Sequence, residues 1–162
     1  MTSTNTIALV SSLALLAALA PACGFTPPAQ NSGAVKSDNG VALAVVGQRC
    51  TETVETELPG VPLVETHVQV EVRNSAPPPL VVHRDAFHLR GADGRAIPTA
   101  TWQAAEPLPI EAGQTRTFEL RFMSRGGLSC TKEMQLEASA SAITKGDAPV
   151  QLGAVSFVPS HA

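Results

Sequence analysis

Residues 63–73 read Leu-Val-Glu-Thr-His-Val-Gln-Val-Glu-Val-Arg, and this stretch decides the fold. Val64, Thr66, Val68, Val70 and Val72 take alternate places, with Glu65, His67, Gln69, Glu71 and Arg73 between them. Successive strand side chains point to opposite faces. A period of two with β-branched residues on one side therefore predicts a strand with one face in a core and the other towards water. By that parity His67 lies on the polar face. Asn74-Ser75-Ala76-Pro77-Pro78-Pro79 follows. Proline has no N–H to give a ladder, so pairing is expected to stop there.

The same alternation continues on both sides. Val41–Val46 is a short apolar run between Gly40 and Gly47, read as a strand. Leu80–Arg90 reads as one or two strands with Phe87 and Leu89 on the core side. The Asp93-Gly94 pair is a hairpin-type turn, and Ile97–Trp102 is its expected return strand. Glu111–Gln114 is a further turn. It leads into Thr115–Met123, where Phe118, Leu120 and Phe122 point inward. In Cys130–Ala142, Met134, Leu136, Ala138 and Ala140 alternate against Glu133, Gln135, Glu137 and Ser139, although helix formers are common there. Val150–Val158 is the expected last strand, with a bulge at Gly153. About seven or eight short strands with frequent turns predict an all-β, antiparallel sandwich over residues 41–162.

This layout resembles the Ig-like sandwich domains of exported bacterial lipoproteins. The resemblance rests on Val68–Asn74, on Phe87–Arg90 with Asp93-Gly94-Arg95, and on Leu108–Gln114 leading into Phe118–Phe122. It covers roughly residues 41–125. It implies a fold and an exported setting, and no activity.

The N-terminal segment reads differently. Met1–Thr6 is polar, and Ile7–Leu19 (IALVSSLALLAAL) is nearly all apolar. That length fits the core of an export signal and falls short of the ~20 residues of a permanent membrane span. It ends in Leu19-Ala20-Pro21-Ala22-Cys23-Gly24, which resembles the lipobox of bacterial lipoproteins. The resemblance implies removal of residues 1–22 and acylation of Cys23. Ala20 stands where leucine is commonest, and no Lys or Arg precedes the apolar run. Two other readings are an ordinary secretory signal cut near Ala22 and a buried N-terminal helix with Cys23 as a core thiol. Gly24–Gly40 (GFTPPAQNSGAVKSDNG) lacks periodicity, so residues 23–40 are read as the lipidated cysteine and a flexible tether. Its reach is roughly 20–25 Å. No acidic residue follows Cys23, which in the lipoprotein pattern favours the outer membrane over the inner.

Cys50 and Cys130 remain as an even pair. An oxidising compartment would join them as a structural disulfide, the alternative being two separate buried thiols. No phosphate loop, nucleophile elbow, His-Glu-x-x-His or Cys-x-x-Cys occurs. Of the four histidines, His67 and His88 face outward by parity, and His161 lies near the C-terminus. His83 and Asp85 share a face, and His88 joins them only if the strand breaks between Asp85 and Phe87. Such a trio would bind a metal weakly; solvated side chains are the plainer reading. Met123 and Met134 lack a His-x-Met motif, so copper carriage is not supported. Glu106, Glu111 and Glu119 show no reason to converge for acid–base work. Glu52, Glu55 and Glu57 read as a solvated acidic stretch, and Trp102 as packing.

Lysine and arginine are scattered and the formal charge is -3, so a nucleic-acid partner is not expected. Five Phe, one Trp and no Tyr are too few for most aromatic-lined peptide or sugar grooves. The sequence thus predicts no cofactor and no catalytic residue. It points to a lipid-anchored, non-enzymatic binding or structural module of the cell envelope with an envelope protein as partner. The alternative is a periplasmic metal-binding protein using His83, Asp85 and His88.

Overall fold

A computed structural model describes residues 34–36, 40–54, 60–100 and 106–159. In chain order the strands are β1 (Ala34–Lys36), β2 (Val41–Thr53), β3 (Leu63–Asn74), β4 (Leu80–Val82), β5 (Phe87–Arg90), β6 (Ala96–Pro98) and β7 (Leu108–Ile110). They continue with β8 (Thr115–Arg125), β9 (Met134–Ala138), β10 (Ile143–Lys145), β11 (Ala148–Pro149) and β12 (Val155–Phe157). A one-turn 3-10 helix, Arg84–Ala86, separates β4 from β5. The strands form three antiparallel sheets, ordered β1-β2-β3-β8, β11-β10-β4-β7 and β12-β9-β5-β6.

The first sheet is one layer of a sandwich, and the other two are halves of the opposing layer. The 3-10 turn interrupts what would be one strand through β4 and β5. The turn at 139–142 interrupts β9 and β10 at the same level. Across the break the His83 N–H donates to the Ala142 carbonyl at 2.8 Å, and the Ser139 N–H donates to Ala86 at 3.1 Å. The layers are tied at both edges. Thr99 bridges Phe122 beside β6 and β8. Gln48 Nε2 donates to the Val158 carbonyl at 2.9 Å beside β2 and β12.

The strand at 63–73 is as expected, with Val64, Val68, Val70 and Val72 fully buried. Phe118, Leu120 and Phe122 of β8 join them from one side, and Leu43 and Val45 of β2 from the other. The opposing layer contributes Leu80, Val82, Phe87, Leu89, Met134, Leu136, Ile143 and Phe157. Phe87 meets Phe118 edge-on across the layers, ring centres 6.1 Å apart. Each such side chain contributes about 1.5–3 kcal/mol by leaving water.

Several expectations are corrected. Among the described residues there are twelve strands rather than seven or eight, because the second layer is broken and its pieces are short. Val41–Val46 is only the start of β2. Val46 is left unpaired as a bulge between Val45 and Gly47, and pairing with β3 continues to Thr53. The extra residue shifts the parity: Val41, Leu43 and Val45 point inward before it, Gln48 and Cys50 after it. The bulge expected at Gly153 does not occur, since Gln151–Ala154 lie outside any strand. In Cys130–Ala142 only Met134–Ala138 is strand, and Ser139–Ala142 turns the chain. Ala34–Lys36, read as tether, pairs with β2 from Ala34↔Ala44 to Lys36↔Ala42. The sheet therefore starts before Val41.

Asn74 explains how the proline loop is tolerated. Its side chain is fully buried at the end of β3. Nδ2 donates to the Pro78 carbonyl at 3.1 Å and to the Ile110 carbonyl at 3.2 Å. One amide thus satisfies carbonyls in two segments that prolines leave short of donors. No helix among the described residues is long and apolar enough to cross a membrane.

Candidate functional site

The bulge in β2 brings the expected pair of cysteines together. Cys50 and Cys130 are joined with S–S 2.04 Å and Cα–Cα 5.5 Å. Both are buried, at 1% and 0% exposure. Glu52 supports the bridge from two residues further along β2, on the same face as Cys50. Its Oε1 accepts from the Cys130 N–H at 2.6 Å and from Ser129 Oγ at 3.2 Å. Glu52 is therefore not simply part of a solvated acidic stretch. Cys23, Glu55, Glu57, Trp102 and His161 lie outside the described residues, as do the lipobox-like segment and residues 23–33 of the tether.

His83, Asp85 and His88 do not form a metal site. The chain does leave strand geometry between Val82 and Phe87, yet the described residues contain no group of three or more His, Cys, Asp or Glu placed to hold a metal. The 3-10 turn leaves Asp85 exposed. The alternation resumes in β5 with His88 opposite Glu137 and Pro98. A single tight turn thus scatters the three side chains instead of gathering them. Glu106 and Glu119 line one groove, whereas Glu111 sits exposed in its turn. Met134 is buried in the core, and Met123 is 40% exposed on the opposite side of its sheet.

The most connected polar constellation centres on His67. The register aligns Arg49 of β2 with His67 of β3 and Arg121 of β8 in one row. Glu65 lies two residues before His67, and Glu119 two before Arg121, so all five side chains share the outer face. His67 Nδ1 lies 2.5 Å from Glu119 Oε1, and Nε2 lies 2.7 Å from Glu65 Oε1. Arg121 pairs with the same Glu65 oxygen. Arg49 Nη2 is 3.3 Å from Nδ1 and 3.4 Å from Nε2. His67 is on the polar face, as parity predicts, but it is only 8% exposed.

The electrostatics follow from the partners. Partial burial disfavours the charged form of Glu65. Hydrogen bonds with His67 and Arg121, reinforced by their charges, outweigh it and hold the carboxyl below its ordinary range. Both imidazole nitrogens lie against carboxylates, so neither is open to a metal or a substrate. The constellation is a cross-strand ion-pair network that fixes β2, β3 and β8 to one another. A second pair lies on β5 and β9, where Arg90 Nε and Nη2 each donate to Glu137 at 2.8 Å. That hydrogen bonding raises the Arg90 pKa and, against burial, lowers that of Glu137. Parity alone places Glu65, His67, Glu119 and Arg121 on outward faces. Their convergence depends on strand register, for which the sequence carries no local signal.

No family model and no curated protein matches the chain. Solved structures do match. A candidate lipoprotein from Bacillus subtilis, ycdA, superposes with a TM-score of 0.50 at 17% identity, over 76% of this chain and 38% of that one. This chain therefore spans well under half the length of the Bacillus protein. A protein of unknown function from Listeria monocytogenes gives a TM-score of 0.53 at 13% identity, over 85% of this chain and 87% of that one. At such identities the likeness establishes the fold alone.

Proposed function

We propose that this chain is an exported lipoprotein, cut before Cys23 and held on a membrane by acyl chains on that residue. Its sandwich then serves as a non-enzymatic binding or structural module of the cell envelope. The observation that carries this reading is the buried Cys50–Cys130 bridge. It accounts for two of the three cysteines and leaves Cys23, directly after the apolar Ile7–Leu19 run. Such bridges persist in oxidising compartments, which is where an export signal would deliver the domain. The Bacillus protein of the same fold is itself described as a candidate lipoprotein, which agrees with an envelope setting.

Anchoring needs no help from the protein surface. Each buried methylene contributes about 0.8 kcal/mol, so one acyl chain holds weakly and two or more hold stably. Gly24 after the cysteine favours the outer membrane, at its periplasmic or surface face. An envelope protein met through loops or an open sheet edge is the expected partner.

Metabolic labelling with a clickable fatty acid tests the anchor. Label is expected on the native chain and absent from Cys23→Ala, with the internal disulfide intact in both. An unlabelled native chain, or a Cys23→Ala chain that still takes label, would overturn the proposal.

A further inference from the structure

The two layers part at one mouth. There β8, the edge of its sheet, faces β7, the edge of the other layer's sheet. A groove of about 790 Å³ opens between them, within the size range of small-ligand sites. Its apolar surface comes from Phe118 and Leu108 with the flanking prolines, and its charged walls include Arg84, Arg116 and Glu106.

Arg116 stands opposite Val72 in the register, in the inward row that continues with Phe118, Leu120 and Phe122. The chain thus places a cation where an apolar residue would have closed the sandwich. Arg84 comes from the other layer. Its backbone is fixed by Thr99 Oγ1, which donates to its carbonyl at 3.1 Å. Its Nε is buried and has no hydrogen-bond partner. A buried donor without an acceptor is uncommon in native proteins and calls for a partner. Among the described residues neither guanidinium has a side-chain hydrogen bond or ion pair. Glu119, also at the groove, is already engaged by His67 at 2.5 Å.

We propose that this groove binds a small organic monoanion, a carboxylate on an apolar body, with Arg84 and Arg116 taking the carboxylate and Phe118 and Leu108 the hydrocarbon. Guanidinium groups match carboxylates in shape and charge. A dianion such as phosphate is disfavoured, because Glu106 at the rim repels it and it has nothing to set against the apolar surface. The inference supplies a ligand class for the binding role proposed above. It rests on that reading only to this extent, since the groove does not depend on the anchor.

The test uses the full chain carrying Cys23→Ala, labelled with 15N and titrated with octanoate. Octanamide and inorganic phosphate are the controls. Saturable shifts at the Leu108, Thr117 and Phe118 amides are expected with octanoate, at least ten-fold tighter than with either control. Arg116→Gln, at an exposed position, and Arg84→Gln should each weaken octanoate at least ten-fold and leave octanamide unchanged. The dispersion of each spectrum reports whether the variant is folded. Should Arg84→Gln not fold, Arg116→Gln alone decides. Octanoate that does not saturate, that binds no tighter than octanamide or phosphate, or that ignores Arg116→Gln overturns the proposal. Failure here, with fatty-acid label still found at Cys23 of the native chain, refutes the groove and leaves the anchor standing.

Discussion

Removing the Cys50–Cys130 bridge tests how the core is held. The bridge spans 80 residues of sequence. In the chain-entropy model the lost constraint on the unfolded chain amounts to about 15 cal/mol/K, or about 4.5 kcal/mol at 25 °C. Measured values usually fall below this bound, so Cys50→Ala combined with Cys130→Ala should lower stability by about 2–4 kcal/mol. That is a large fraction of the 5–15 kcal/mol typical of native domains. The sulfurs are fully buried, so the small cavities left by alanine act in the same direction.

Urea unfolding of the oxidised chain and the double variant measures the effect. Two signatures are expected together. The midpoint falls, and the slope against urea rises, because an unbridged unfolded chain exposes more surface. The native state should survive, since Glu52 still accepts from the Cys130 N–H and holds the β8–β9 connection against β2. A stability change below about 0.5 kcal/mol with an unchanged slope would refute the reasoning. So would two free thiols in the natively purified exported chain.

Three other outcomes follow from particular contacts. A Cβ built on Gly91 would lie 1.8 Å from the Gly127 carbonyl oxygen, so Gly91→Ala must displace backbone and should cost about 1–3 kcal/mol in a thermal melt. Asn74→Ala removes the donor to Pro78 and Ile110 and should cost roughly 2 kcal/mol, with raised amide exchange at Ser75 and Ala76 and around residues 111–114. Glu65 and Glu137 both have carboxyl pKa values held below the ordinary glutamate value of about 4.3 in the folded state. Their contribution is therefore full above that value and is lost as pH falls through the lower folded values. Urea midpoints should be level from pH 7 to 5 and decline below about 4.5, with a shallower decline in Glu65→Gln.

How much was legible in the sequence depends on the range of the interaction that fixes each feature. β3 is readable because each residue meets either core or water, and its alternation records that choice. The inward parity of Phe118, Leu120 and Phe122 is readable for the same reason, and carried back two places it puts Arg116 inward as well. β2 hides its length because one bulge at Val46 reverses the parity midway, so Val41–Val46 and Gln48–Cys50 look like unrelated pieces. The break at Arg84–Ala86 puts Leu80 and Val82 out of phase with Phe87 and Leu89, and it lies beside the turn at 139–142. The His67 network could not be read, since its members sit on three strands whose relative slide is fixed by core packing. Its charges were visible singly, and only their register was missing.

That division also separates structural charge from charge available for recognition. On the outer face, Glu65 and Glu119 take the two nitrogens of His67, while Arg121 pairs with Glu65 and Arg49 lies against the ring. Two formal positive and two formal negative charges there nearly cancel, so beyond a Debye length of about 8–10 Å this face steers little. Arg84 and Arg116 differ in kind. They come from opposite layers and flank an apolar floor, and no carboxylate engages them among the described residues. Arg90, by contrast, is paired with Glu137. On the proposal above, ligand affinity resides at the mouth of the sandwich. A substitution such as Arg116→Gln should alter ligand affinity with little effect on stability, and His67→Ala should do the reverse.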